Sequence, residues 1–456
     1  MNYKKTKAST LAILVLALVT FTSQPTHAAD ATPPVSAAPS TPLPQGYVAP
    51  GLLIIPRKTF KLADYGAVGE EKTEITKILQ AAIDAASAAG GGIVEVPRGD
   101  YVCGPIRLAS HINLLLAAGA TVKLLPLGKY PGGTTDPADF ISGENLHDVA
   151  ISGSGTIDGQ GGAWWPFAKT EHTKRPRMIK LTACERVLIE NVTLMNSPMF
   201  HIAIGGKSQH ITVRGVTIRA PASTDPTHPS HNTDACDVSG QHILIQDCDV
   251  SVGDDNYTCG GGTSDVLITH CTYGFGHGVS IGSYTKGGVS NITVMDCTFT
   301  NTESGIRIKS DRDRGGLVRN LTYKNLRMTH VGIPILIYAA YMAKEPQYRK
   351  LTDLTPEIAA TFSSKPIAEH TPIYQDIVFS NITATVQSGR RAGLIWGLPE
   401  APVSNVLFDN VNITADKPFG VFNAKGIRVV NSKIVTPAGM NKLSSHEAQV
   451  SITPNE

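Results

Sequence analysis

The chain predicts an all-β fold, a right-handed parallel β-helix built as a single-stranded solenoid, with a capping helix near its N-terminus. Three observations carry that expectation. Short β-type segments recur along most of the chain, one amphipathic helical stretch precedes them, and a set of charged residues is spaced at nearly the period of the repeat.

The repeat comes first because it decides the fold. Segments of one type recur as Val149-Ala150-Ile151, Val187-Leu188-Ile189, Ile211-Thr212-Val213, Ile243-Leu244-Ile245, Val266-Leu267-Ile268 and Ile292-Thr293-Val294. They continue as Leu321-Thr322-Tyr323, Ile377-Val378-Phe379, Val406-Leu407-Phe408 and Ile427-Arg428-Val429. Successive starts are mostly 21 to 32 residues apart, with larger gaps before Val187 and Ile377. Each segment alternates apolar and variable positions and soon meets Asn, Gly or Asp, the pattern of parallel strands stacked as coils around one core. A leucine-rich repeat needs a regular Leu framework and a propeller a period of about 40 to 50 residues; neither matches.

Cys248, Cys271 and Cys297 each lie five residues after the start of a segment, the offset that elsewhere holds Val192, Val216, Leu326, Ile382 and Val411. These thiols are expected in an inward column as small core hydrophobes. Stacked strands lie about 4.8 Å apart, so a disulfide between two of them stays open. The chain has 7 cysteines, an odd number that leaves at least one unpaired in a monomer. No pair has zinc-ribbon spacing, so neither a structural metal nor a cofactor is expected.

The helical signal runs from Thr73 to Ala89, where Ile75, Leu79, Ala82, Ile83 and Ala86 recur at three- and four-residue steps before Gly90-Gly91-Gly92 ends the run. An open coil end is an exposed strand edge, and a helix laid across it prevents edge-to-edge pairing.

The termini set the domain organisation. Lys4, Lys5 and Lys7 precede an apolar run from Leu11 to Phe21, and Thr26-His27-Ala28 supplies small residues for cleavage, so residues 1–28 read as a secretory signal peptide. The run is too short for a bilayer, which takes roughly 20 residues. Residues 29–51 are rich in Pro, Ala and Ser and read as a linker, 52–440 as the β-helix domain and 441–456 as a tail. Insertions at 155–178, with Trp164 and Trp165, and at 342–371 are long excursions of the kind that either walls a cleft or stays a solvated loop. The net charge of +2 argues against nucleic acid as a partner, and no other stretch is apolar enough for a membrane. A secreted monomer, periplasmic or extracellular, is the expectation.

The chemistry concentrates between His231 and Lys309. Asp234, Asp255 and His277 are 21 and 22 residues apart, so the coil stacks them on neighbouring turns. Four residues on, Val238, Cys259 and Ile281, continued by Ile308, form an apolar inward column. Its flanking rows, Asp237, Thr258, Ser280 and Arg307 on one side and Ser239, Gly260, Gly282 and Lys309 on the other, then face out. Strict alternation would bury Asp234 and Asp255, so the chain must bend before the strands, with Gly253 and Gly278 as cues. On this reading Asp234, Asp254 and Asp255 share one outer surface with an imidazole and two cations. Crowded carboxylates push at least one pKa upward, as the two unlike carboxylates of glycoside hydrolysis require. Arg307 and Lys309 are expected to bind an anionic sugar rather than the acids.

The motifs Asn232-Thr233-Asp234, Gly253-Asp254-Asp255, Gly276-His277-Gly278 and Arg307-Ile308-Lys309, in that order on a matching repeat, resemble those of the polygalacturonases, the family-28 glycoside hydrolases. The resemblance runs from about Phe60 to Val435. It implies an inverting hydrolase of the α-1,4-galacturonosidic bonds of pectin, an acidic plant polysaccharide. Asp254 would be the general acid, Asp234 and Asp255 would hold and activate water, and His277 would support the acid's protonation state. Arg307, Lys309, Asn232, His201 (in the stretch Asn196–His201) and Tyr341, with Tyr338 as its alternative, would serve the substrate. Asn256 stands where many relatives carry Cys, which puts a local disulfide in doubt. The alternatives are a rhamnogalacturonan-type hydrolase of the same family, a calcium-dependent pectate lyase, and a non-catalytic polysaccharide-binding coil. The resemblance leaves endo or exo action open.

Overall fold

The computed structural model describes residues 43–67 and 74–453. They form a right-handed parallel β-helix whose 34 strands join in one continuous hydrogen-bonded system. The pairings are parallel throughout, apart from a short antiparallel hairpin between Lys433–Thr436 and Gly439–Met440.

The repeat read from the sequence is the register itself. Val149, Val187, Ile211, Ile243, Val266, Ile292, Leu321, Ile377, Val406 and Ile427 pair in succession as one column. Every residue just before that column among them (Asp148, Arg186, His210, His242, Asp265 and onward to Gly426) has positive φ, which turns the chain into the strand. A second left-handed corner, formed by a residue other than glycine, follows eight of the ten segments, at Asn191, Asp247, His270, Asp296, Asn325, Asn381, Asn410 and Asn431. Asn tolerates this conformation, and its amide then reaches the next coil. Asn325 donates to Asp296 at 2.8 Å, Asn381 to Asn325 at 3.1 Å and Asn410 to Asn381 at 2.9 Å. The Asn and Asp residues after each segment are thus corners that hydrogen-bond along the stack.

Inside, the column that holds Cys248, Cys271 and Cys297 is buried as expected, and all seven cysteines are free thiols inside the coil. The capping helix spans Thr76–Ala88 and buries Leu79, Ala82, Ile83 and Ala86 over the first coils. Ile75 is buried just ahead of it, its amide bonded to the Val102 carbonyl at 2.9 Å.

Two boundaries differ from the sequence reading. The described part of the expected tail is not one: strand Leu443–Thr453 adds a further layer in parallel register with Phe419–Val430. None of its residues is buried, and its weak apolar signal hid it. The described part of the expected linker is held against the coil. The Tyr47 hydroxyl donates to the Ile243 carbonyl at 3.0 Å, its ring packs on Leu244, Leu267 and Met295, and the Gly51 amide donates to His210 Nδ1 at 3.1 Å. The expected signal segment lies outside the described residues. No helix among the described residues is long and apolar enough to cross a membrane.

With every thiol buried and unpaired, a thiol reagent should label none in the native protein and all 7 in denaturant without reductant. A smaller count in denaturant means that disulfides have formed.

Candidate active site

The site lies on one outer face of the coil, where strands Cys236–Val238, Tyr257–Cys259, Val279–Ile281 and Ser304–Lys309 stack in register. Asp237, Thr258, Ser280 and Arg307 form one outward row, while Val238, Cys259, Ile281 and Ile308 are buried within. Asp234, Asp255 and His277 precede their strands by the same two residues, so they occupy equivalent places on three coils.

The bend foreseen at Gly253 and Gly278 is present. Residues 252–256 and 274–278 lie outside the strands, and the side chain of Asp255 emerges on the outer face beside Ser280, whose hydroxyl donates to Asp255 Oδ1 at 2.7 Å. Gly278 has φ +78°, and a Cβ there would collide with the carbonyls of Ser304 and Gly305. A Cβ on Gly253 would collide with Ser230. Asn256 turns inward and ties the corner together: its amide donates to the Phe275 carbonyl at 2.9 Å and its oxygen accepts from the Gly278 amide at 2.8 Å.

Burial at the outer surface corrects the sequence reading of an exposed carboxylate cluster. Asp234 is 6% exposed and Asp255 3%. A buried carboxylate needs partners, and Arg307 and Lys309 supply them to Asp255. The Arg307 guanidinium donates to Asp255 Oδ1 and to the Ser280 hydroxyl at 3.0 Å, and the Lys309 ammonium lies 3.1 Å from Oδ2. The two cations are therefore partners of an acid first, contrary to the expectation that they are reserved for a sugar. Burial opposes the charge on Asp255, but Arg307, Lys309 and His277 outweigh it and hold the carboxyl well below the usual carboxylate range. Asp234 goes the other way. Burial, then the charges of Asp254 and Asp255, push its carboxyl well up, and its Oδ1 has no partner among the described residues. Asp237, next in the outward row, is raised to about 6, chiefly by burial.

Asp254 is the more accessible member. Its Oδ1 accepts from the Asp255 amide at 2.9 Å and lies 3.0 Å from His277 Nδ1, while its Oδ2 faces the Asn232 amide at 3.3 Å. His277 Nε2 is 2.8 Å from Glu303 Oε2. Burial works against the imidazolium and so does the nearby Arg307 charge, yet hydrogen bonds to Asp254 and Glu303 raise its pKa to about 9. Glu303 escaped the sequence reading, although it sits one residue before the equivalent of His277 on the next coil, the phase that Asp254 occupies. Arg175 also escaped it. From the 155–178 insertion its guanidinium reaches the Pro198 and His231 carbonyls at 2.8 Å each and Asn232 Oδ1 at 2.9 Å, and no local motif marks such a contact.

Two other expected residues are placed differently from each other. His201 is 0% exposed and touches no open surface. The Ser197 amide donates to its Nε2 at 3.3 Å, leaving Nδ1–H to donate to the Asp234 carbonyl at 3.2 Å, so this neutral ring positions Asp234 rather than substrate. Burial keeps its pKa down at about 4. Tyr341 is half-buried at the rim, its ring 5.2 Å from the Lys309 ammonium and 5.8 Å from the ring of buried Tyr338.

Asp254, Asp255 and His277 bring ligand-type atoms within 4.8 Å of one another. Both Asp255 oxygens and both His277 nitrogens are already engaged, and two buried cations adjoin them, so the set does not suit a metal ion. A cavity of about 450 Å³ lies elsewhere, beneath Tyr47 and lined by Asn320, Asp376 and Asn405, away from these carboxylates.

Asp255→Asn strands two buried cations, and the fold should lose about 3–5 kcal/mol, read as a lower midpoint of urea unfolding. Asp254→Asn should change that midpoint little. In the wild type, the Asp255 contribution is present above pH about 4 and lost as the pH falls below it, because its folded pKa is depressed. The His277 contribution has the opposite sign: it is complete below pH 6.5 and lost as the pH rises through about 9. Glu303→Gln should shift the His277 titration, followed by its ring proton resonances, to lower pH; an unmoved titration would remove Glu303 from the site.

Comparison with known proteins agrees with this geometry. The model of glycosyl hydrolases family 28 matches residues 90–433. An endo-polygalacturonase of Pectobacterium carotovorum subsp. carotovorum is 31% identical over 358 residues, covering 71% of this chain and 80% of that protein. An exopolygalacturonase of Zea mays is 30% identical, covering 81% and 88% respectively. The solved polygalacturonase of Erwinia carotovora ssp. carotovora superposes with a TM-score of 0.64 at 27% identity, covering 83% of this chain and 98% of that one. Four motifs placed on consecutive coils, and a family match over most of the coil, make the chain a member of glycosyl hydrolases family 28.

Proposed function

We propose that the chain is an exported polygalacturonase, acting as a monomer, which hydrolyses the α-1,4-galacturonosidic bonds of pectin with inversion at the anomeric carbon. One observation carries the reading: the coil sets Asp234, Asp254 and Asp255 on one outer face, with His277 against Asp254 and with Arg307 and Lys309 against Asp255. The names of the relatives support the substrate, and the four motifs support the roles.

Asp254 delivers its proton to the leaving glycosidic oxygen. Its Oδ2 meets only the long contact from Asn232, so that face is open to a sugar. The His277 imidazolium at Oδ1 stabilises the carboxylate left behind. Asp255, kept ionised by Arg307 and Lys309, takes the proton of the attacking water, and Asp234, at the equivalent place on the preceding coil, helps to hold that water. Water adds to the anomeric carbon as the bond to the leaving oxygen breaks, with no covalent enzyme intermediate. Lys309 uses one of its N–H groups on Asp255 and, beside Tyr341, has others for a galacturonate carboxylate.

Asp254→Asn should lower turnover on polygalacturonate about 10²–10⁴-fold while pectate binding persists. Reducing-sugar release at the wild-type rate would refute the assigned acid. Proton NMR of the first product should show the β-anomer; an α-anomer would rule out inversion.

A further inference from the structure

The outward rows of the sheet that bears the site change character at one coil. Arg307 is followed in register by Leu336 and Leu394, and Lys309 by Tyr338, Trp396 and Phe422. Apolar residues on the outside of a coil are costly unless something covers them. Here the 342–371 insertion does so, laying Tyr348, Leu354 and Ala359 on them as a second hydrophobic core.

This cover is firmly attached. The Trp396 ring lies 5.2 Å from that of Phe362 and 5.9 Å from that of Tyr348. Arg312 stacks 4.6 Å over Phe362 and is ion-paired with Glu400 at 2.6 Å, and Arg391 donates to the Leu354 carbonyl at 2.7 Å. The other insertion does something different. Through Arg175 it grips the segment ahead of the strands, and so it forms a side rim rather than an end. On the far side of the aspartates the same outward row runs from Asp237 to Ala203 and Lys180, with a cation rather than an apolar patch.

We propose that the cleft is blind on the Lys309 side and that the enzyme therefore works from a chain end, releasing one short product at each cut. The inference rests on the galacturonan reading above. From the Asp255 coil to the first covered coil is three strand spacings, roughly 14 Å. That distance admits a stub of sugar beyond the scissile bond and no continuing polymer. The long arm of the polyanion lies the other way, over the row that leads to Lys180.

The test is product size against time for the full-length protein on oligogalacturonate tagged at its reducing end. The expected result is one short product from the earliest time points, with the substrate shortened by that step. A ladder of intermediate lengths at the start would overturn blind-end action while leaving galacturonan hydrolysis intact. No cleavage at all would overturn the hydrolase reading and this inference with it. Replacing residues 344–368 with a Gly-Ser linker should shift the products from the single species to a ladder. Tyr348→Ala, which loosens the cover without deleting it, should shift them the same way to a smaller degree. If both variants remain folded by circular dichroism and still yield only the short product, the insertion is not the wall.

Discussion

Parallel in-register stacking is the constraint on which the rest of the molecule depends. In such a coil each residue faces its counterpart on the next turn at about 4.8 Å. Apolar residues accept this readily, as the column from Val149 to Ile427 shows. Asparagines accept it because each amide has both a donor and an acceptor to pass along. Carboxylates do not. Where Asp234 and Asp255 occupy the same phase, repulsion and burial together raise one, while the other keeps its charge only because Arg307 and Lys309 reach it from a later coil. The unlike aspartates of the site are thus a consequence of the architecture.

Other residues serve this arrangement without meeting the substrate. His201 holds the Asp234 backbone, Asn256 braces the corner that turns Asp255 outward, and Ser280 bridges Asp255 and Arg307. Each is buried, so each fixes one of the clustered aspartates in place with little freedom to relax. The outer face beyond Lys309 shows the complementary principle: where the row turns apolar, the chain covers it.

Much of this was legible in the sequence. All ten repeat segments proved to be one column, the cysteine offset was an inward position, and the phase of Asp234, Asp255 and His277 was that of the structure. The illegible parts share a cause. Glu303 and Arg175 reach the site from another coil and from an insertion, where no periodic rule applies. His201 was read as a substrate ligand because motif position says nothing of depth. Strand Leu443–Thr453 lacked a strong apolar pattern because its residues are half-buried or exposed.

The division between sequence and tertiary structure follows from what each encodes. Alternation and period are local, and by themselves they determined the coil, its inward columns and which carboxylates would lie side by side. Pairing between charged groups depends on side-chain reach across coils and on exclusion of water. Only the tertiary structure decided that Arg307 and Lys309 serve Asp255, that Asp234 is the carboxyl driven upward, and that the 342–371 insertion packs on the sheet beyond Lys309. A linear pattern specifies neighbours in phase, whereas charge state depends on everything within a few ångströms, whatever its place in the chain.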